Sequence, residues 1–214
     1  MQIAIDGPAG AGKSTIAKII AKNLDITYLD TGAMYRAITY GVMKNDINFE
    51  DLNAIVDFTK ESTINFEGNK VFLNNDEVTE EIRQPQVSQH TSQIASIEAV
   101  RELLVDEQRV IAANQSVIMD GRDIGSVVLP DADYKFYLDA SIQERAVRRK
   151  KELDEKGIVH SLEEVEADIA ARDYNDTHRD VSPLICTDDA IVVDTTGKDI
   201  PQVCEVITSH IQKA

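Results

Sequence analysis

Nine consecutive residues, Gly7-Pro8-Ala9-Gly10-Ala11-Gly12-Lys13-Ser14-Thr15, have the types and spacing to hold a polyphosphate, because they fit G-x-x-x-x-G-K-S/T at every position. Glycines at 7, 10 and 12 let the backbone take positive φ and bring its N–H groups close to phosphate oxygens, and the helix start that follows adds partial positive charge. Lys13 supplies a mobile point charge for the β- and γ-phosphates, and the Ser14 hydroxyl is the expected Mg2+ ligand. The loop implies a bound nucleoside triphosphate and leaves the reaction open.

A second set of residues suits phosphate from another direction. Arg36 is the only arginine before Arg83, whereas Arg101, Arg122, Arg145, Arg148, Arg149, Arg172 and Arg179 crowd the later stretch. Planar guanidinium groups grip phosphate bidentately, so this bias points to a small phosphorylated ligand. Asp120 ends the apolar run Ser116-Val117-Ile118-Met119, where an acid can reach a Mg2+-bound water beside the loop. Asp120-Gly121 is also a common strand-terminating turn, and the residues alone leave both readings open.

These groups need positioning elements, and the pattern supplies them. Residues 2–6 read as a buried strand and 16–23 as a helix, with Ile16, Ile19 and Ile20 at helical spacing, so the loop is a strand-to-helix turn. A short strand at 27–29 ends in Asp30-Thr31-Gly32. The helix after it carries Met34, Tyr35, Ile38, Val42 and Met43 on one face, which sets Arg36 near its start, at the ligand-binding end of an open sheet. A packing ring beside a surface charge fits Tyr35 and Arg36 equally well. Beyond a helix at 49–60, strands at 63–67 and 70–73 alternate around Gly68-Asn69, with a third expected at 77–79. This antiparallel patch reads as an insert in a βαβ chain. Residues 86–114 are helical, broken near Ile97, and carry Ser92 and Arg101.

After the strand at 134–138, residues 141–156 form a basic helix closed by Gly157. Such a charge run is either a solvated face or a lid that brings cations onto a transferring phosphate. Ser161 and Glu164 form a capping box for the next helix, which ends in Arg172-Asp173-Tyr174-Asn175-Asp176-Thr177-His178-Arg179. A strand at 190–194 and a helix at 200–211 complete the chain.

Composition limits the partners. A chain of 214 residues with 43% hydrophobic and 28% charged residues reads as one soluble domain, or a core with small insertions. No apolar run approaches the roughly 20 residues of a membrane span, and Met1 leads straight into a strand rather than a signal peptide, so the expected setting is cytoplasmic. Cys186 and Cys204 lie in no metal or redox motif and read as reduced packing residues; the four histidines lack ligand spacing. A net charge of −16 disfavours nucleic acid.

Taken together the motifs resemble the bacterial-type cytidylate kinases, over essentially the whole chain. The resemblance rests on the loop Gly7 to Thr15, on Asp30-Thr31-Gly32-Ala33-Met34-Tyr35-Arg36, on Asp120-Gly121-Arg122-Asp123-Ile124-Gly125 followed by Val127-Val128-Leu129-Pro130-Asp131-Ala132, and on Arg172-Asp173-x-x-Asp176 with Arg179-x-x-Ser182-Pro183-Leu184. It implies an α/β P-loop NTPase fold: a parallel-sheet core with helices on both faces (residues 1–62 and 83–214), a lid near 145–160, and a β-rich part of a monophosphate-binding insert at 63–82.

The implied reaction is γ-phosphoryl transfer from MgATP to CMP or dCMP, by a protein expected to be a monomer without nucleic-acid or membrane partners. By motif position the resemblance puts Gly7, Pro8, Ala9, Gly10, Ala11, Gly12, Lys13, Ser14 and Thr15 on ATP, and Ser14 and Asp120 on Mg2+. Arg36, Arg122 and Arg179 would hold the acceptor phosphate with Thr31 and Tyr35 beside them. Ser92, Arg101 and Asp123 would read the cytosine edge, and Arg172 and Asp176 would lie near the acceptor's phosphate and sugar. Lys13, Arg122, Arg179 and the lid cation Arg148 would carry the catalysis. Thr177 stands where serine is frequent in the family. Rival readings are a kinase of the same fold for AMP, UMP, shikimate or dephospho-coenzyme A, which the β insert and the Arg122-Asp123 pair disfavour, and a nucleotide-dependent switch, for which the N-K-x-D guanine-reading motif is missing.

Overall fold

In a computed structural model, which describes residues 1–155 and 157–211, β1 (Gln2–Asp6) runs through the glycine loop into α1 (Lys13–Leu24) and then β2 (Thr27–Asp30), α2 (Thr31–Lys44) and α3 (Leu52–Glu61). β3 (Ile64–Glu67), β4 (Lys70–Leu73) and β5 (Asp76–Glu77) follow, then a single 3-10 turn (Glu81–Arg83), α4 (Pro85–Ala95) and α5 (Glu98–Ala113). β6 (Val117–Asp120) leads into a π-helical turn (Ile124–Val128), and β7 (Tyr134–Asp139), α6 (Ile142–Glu155), α7 (Leu162–His178), β8 (Ile191–Asp194) and α8 (Ile200–Ile211) complete the chain. Lys156, where the basic helix is expected to end, and the last three positions of the chain lie outside the described residues.

The chain divides into two compact units, one of Met1–Leu29 together with the chain from Ala112 onward, the other of Asp30–Ile111. The first contains a five-stranded sheet in the order β2-β6-β1-β7-β8, with β1 parallel to both β6 and β7, and β7 parallel to β8. Strand alternation decides what each face carries. Ile3 and Ile5 of β1, with Phe136, Leu138 and Val193, pack against Ile16 and Ile20 of α1 and Val203 and Ile207 of α8. At about 1.5–3 kcal/mol for each fully buried apolar side chain, this face fixes the end of β1 and so the start of the phosphate loop. The alternate positions, Ala4, Asp6 and Lys135, fall on the opposite face, where the π-helical turn lies close to Lys135. The helices α6 and α7 form a hairpin with its own small core of Ala146, Leu153, Val165 and Ile169. The expected capping box at the start of α7 is formed: Ser161 Oγ accepts from the Glu164 N–H at 3.1 Å and Glu164 Oε2 accepts from the Ser161 N–H at 2.8 Å.

In the second unit β3, β4 and β5 form an antiparallel sheet in that order, and α2 packs on β4 and α4. The third strand starts one residue earlier than expected and is shorter. Asn74 and Asn75 are both left-handed, at φ 50° and 71°, which makes a two-residue turn and starts the pairing at Asp76. The Val78 N–H still donates to the Val71 carbonyl at 2.8 Å, but the Val71 N–H donates to the Thr79 hydroxyl at 3.0 Å in place of the return ladder bond.

Candidate active site

The loop has the backbone its sequence requires, with Gly7, Gly10 and Gly12 at φ 144°, 77° and 87°. A Cβ on Gly7 would collide with the Leu138 carbonyl, so no other residue fits between β1 and β7 there. Lys13 opens α1, is 6% exposed, and donates from Nζ to the Pro8 carbonyl at 2.7 Å. Burial first, and then the Arg122 guanidinium, hold its ammonium below the ordinary lysine range, against the pull of Asp120, Asp176 and Asp6.

Ser14 and Asp120 meet directly. Ser14 Oγ donates to Asp120 Oδ2 at 2.8 Å, and the Tyr28 hydroxyl donates to Oδ1 at 2.7 Å. A hydroxyl beside a buried carboxylate is a hard-oxygen donor set, which fits Mg2+. The sequence does not distinguish Tyr28, which reads there only as a strand residue.

Arg122, Arg172 and Arg179 gather around two carboxylates, Asp176 and Asp123. Arg122 Nε donates to Asp176 Oδ2 at 2.6 Å, with side chains 18% and 8% exposed. Burial alone would push the Asp176 carboxyl up, but Arg122, Arg172 and Arg179 together hold it below the usual carboxylate range. Arg179 donates from Nε to the Ser182 carbonyl at 2.7 Å, and its Nη2 lies 3.8 Å from Asp123 Oδ1. Arg122, Asp123, Arg172, Asp176 and Arg179 are therefore one charged cluster in the unit that holds Lys13.

Asp6, the last residue of β1, ties that cluster to the loop. Its carboxylate accepts from the Ile124 N–H at 2.9 Å and the Gly125 N–H at 2.7 Å, the two amides that follow Asp123. Burial pushes its carboxyl from 3.8 up to about 6, opposed by those two hydrogen bonds. The folded chain thus binds this proton more tightly than the unfolded chain. The stability it contributes is fully present below pH 3.8 and is lost as pH rises through about 6. The Asp6 carboxyl resonance is expected to titrate with a midpoint of about 6, carrying the Ile124 and Gly125 amide shifts with it; a midpoint at the ordinary 3.8 contradicts this.

The basic helix α6 splits by position. Arg145 is buried and pairs with Asp173 at 2.7 Å, while Arg148 donates to the Thr195 carbonyl at 2.7 Å and to Glu144 at 3.1 Å. Arg149 and Lys150 make pairs within the helix, with Glu152 and Asp154. The sequence run gives no sign of these separate fates.

The second unit carries the remaining expected residues. Asp30 caps α2 by accepting from the Ala33 N–H at 2.8 Å and also pairs with Arg36 at 2.9 Å. Arg36 Nε is buried and finds no hydrogen-bond partner among the described residues. Arg101, 2% exposed, lies 5.1 Å from the Tyr35 ring centroid and donates to the Ala95 carbonyl at 3.0 Å. Thr31 is buried at the start of α2, and Ser92 is half-buried on α4.

A glycine-rich loop between a parallel strand and a helix, with its lysine and serine beside a strand-end acid, defines a P-loop NTPase fold. The comparisons agree with that class and narrow it. A family model described as cytidylate kinase matches residues 3–213. The chain is 51% identical to a protein named cytidylate kinase from Clostridioides difficile (strain 630), covering 98% of this chain and 97% of that one. It is 52% identical to one of the same name from Alkaliphilus oremlandii (strain OhILAs), covering 99% and 98%. A shikimate kinase structure from Bacteroides thetaiotaomicron, 12% identical, shares the fold with a TM-score of 0.51 over 99% of this chain and 98% of that one. The chain belongs to the cytidylate kinase family and is an ATP-dependent phosphotransferase.

Proposed function

We propose that this chain transfers the γ-phosphoryl group of MgATP, in line, to a phosphate oxygen of CMP or dCMP, giving ADP with CDP or dCDP. One observation carries the reading: Lys13 of the phosphate loop shares its charge environment with Arg122 and Asp176, so groups suited to a donor and to a second phosphate lie together. The relatives' shared name supplies the base.

The acceptor phosphate is already a nucleophile, so no covalent enzyme intermediate is needed. A bond forms from its oxygen to the γ-phosphorus as the bond to the β,γ-bridging oxygen breaks, and the electron pair leaves with ADP. Positioning and charge stabilisation carry the catalysis. The backbone of Gly7, Pro8, Ala9, Gly10, Ala11 and Gly12, with Lys13, Ser14 and Thr15, holds the donor phosphates. Ser14 and Asp120 are the residues we assign to Mg2+, whose contribution when bound is to neutralise charge on the phosphate oxygens.

Lys13, Arg122 and Arg179 stabilise charge on the transferring group. Arg148 takes a smaller share, since it must first release Thr195 and Glu144. Arg36 is assigned to the acceptor phosphate, with Thr31 and Tyr35 beside it; Arg172 and Asp176 to its phosphate and sugar; and Ser92, Arg101 and Asp123 to the base. The lid near 145–160, the hairpin at 63–82 as part of the monophosphate-binding insert, and a monomeric, cytoplasmic setting belong to the same proposal; an acidic balance of −16 suits small ligands better than nucleic acid.

Asp123 decides the base. A carboxylate accepts from the exocyclic amine of cytosine, whereas uracil presents an oxygen in its place. Asp123→Asn is expected to lower kcat/KM for CMP by roughly 10- to 100-fold, with little loss for UMP. Equal losses for CMP and UMP would refute the assignment.

A further inference from the structure

Arg145 is a buried cation that this mechanism leaves unused. It lies in the first turns of α6, 4% exposed, and each nitrogen of its guanidinium has a partner on a different segment. Nε donates to the Ala140 carbonyl at 2.9 Å, just after β7. Nη1 donates to the Ala9 carbonyl of the phosphate loop at 2.9 Å, and Nη2 pairs with Asp173 Oδ2 of α7 at 2.7 Å.

Two features make the loop contact specific. In a trans peptide the carbonyl and the next N–H point in opposite directions, so holding the Ala9 carbonyl toward Arg145 turns the Gly10 N–H to the other side. A cradle of converging amides needs its carbonyls held outward in this way. Gly10 is also at φ 77°, and a Cβ there would lie 3.2 Å from the Arg145 Cβ, so the loop and α6 approach at a position where only glycine fits without strain.

Asp173 is the other end of the contact. It follows Arg172 directly and precedes Asp176 by less than a helical turn, so whatever fixes Asp173 fixes the register of the residues assigned above to the acceptor. Its Oδ1 is buried and finds no hydrogen-bond partner among the described residues, which leaves the bond to Arg145 as the anchor of that carboxylate.

We propose that Arg145 is a positioning residue that couples the two substrates: through the Ala9 carbonyl it shapes the phosphate loop, and through Asp173 it sets the acceptor-binding part of α7. This rests on the function proposed above. Lysine keeps the charge at this position but cannot span three partners with a rigid fork.

The test measures binding of a non-hydrolysable ATP analogue by calorimetry, with and without saturating CMP, to the full chain and to the Arg145→Lys and Asp173→Asn variants, alongside steady-state kinetics and thermal midpoints. Wild-type protein is expected to bind the analogue at least about fivefold more tightly when CMP is present. In either folded variant that factor is expected to fall to within about twofold of unity, with the KM for ATP rising more than kcat falls. Should Arg145→Lys fail to fold, Asp173→Asn decides alone. Lower thermal midpoints with an unchanged coupling factor, or no coupling in the wild type, would overturn the role of Arg145. Failure of wild-type protein to phosphorylate CMP at all would instead overturn the function on which it rests.

Discussion

Replacing Lys13 with methionine is expected to lower turnover of CMP by roughly 10³-fold while leaving a protein at least as heat-stable as the wild type. The two halves of that result have one cause. Lys13 is held 6% exposed, where burial and the neighbouring Arg122 disfavour its charge. Folding the chain around this ammonium is therefore a cost carried in the absence of nucleotide. A donor phosphate would add negative charge beyond that of Asp120, Asp176 and Asp6, so the same placement that costs stability favours the bound triphosphate. Methionine fills the volume and removes the burial cost, at the loss of the single bond to the Pro8 carbonyl. Steady-state kinetics and a thermal melt without nucleotide check both halves. Near-normal turnover would remove the loop from the chemistry, and a fall of many degrees in Tm would show that Lys13 is a structural residue.

Removing Asp176 acts in the other direction. The Asp176→Ala variant leaves the Arg122 guanidinium partly buried beside Lys13 without its 2.6 Å partner, and breaking such a pair costs about 3–5 kcal/mol. At this chain length that corresponds to a drop in Tm of roughly 10 °C, accompanied by loss of measurable saturation with CMP. A paired apolar replacement, Arg122→Met with Asp176→Leu, separates the two effects, because well-packed side chains of similar volume can replace a buried ion pair at little loss of stability. That double variant is expected to recover most of the Tm and none of the activity. Recovery of CMP turnover along with stability would mean that the pair only holds the fold.

Much of this site is legible in the sequence because its chemistry is local. The loop, its strand and its helix lie within the first 24 residues, each readable from short-range pattern, and the capping box at Ser161 announces the helix it starts. The hairpin is equally plain from Gly68-Asn69 between two alternating runs.

What the sequence does not show are groups whose meaning depends on distant partners. Arg145 differs from Arg148 and Arg149 only in that its turn of α6 faces Ala9 and Asp173, residues far from it along the chain. Asp6 reads as an ordinary acid before a glycine until strand pairing brings Ile124 and Gly125 to it. Tyr28 reads as one more β-former, and only the neighbouring β6 strand turns its hydroxyl into a partner for Asp120. The extent of Asp30–Ile111 as one compact unit is likewise a matter of α2 packing on α4 and β4, which no local period encodes.

Phosphoryl transfer itself is most directly tested with ATP labelled at the γ-phosphate, Mg2+ and the purified chain, offered CMP, dCMP, UMP or AMP in parallel. The expected result is label recovered in CDP and dCDP, with kcat/KM for UMP and AMP lower by at least about 100-fold. Label appearing in UDP or ADP as readily as in CDP, or only as inorganic phosphate, would contradict it.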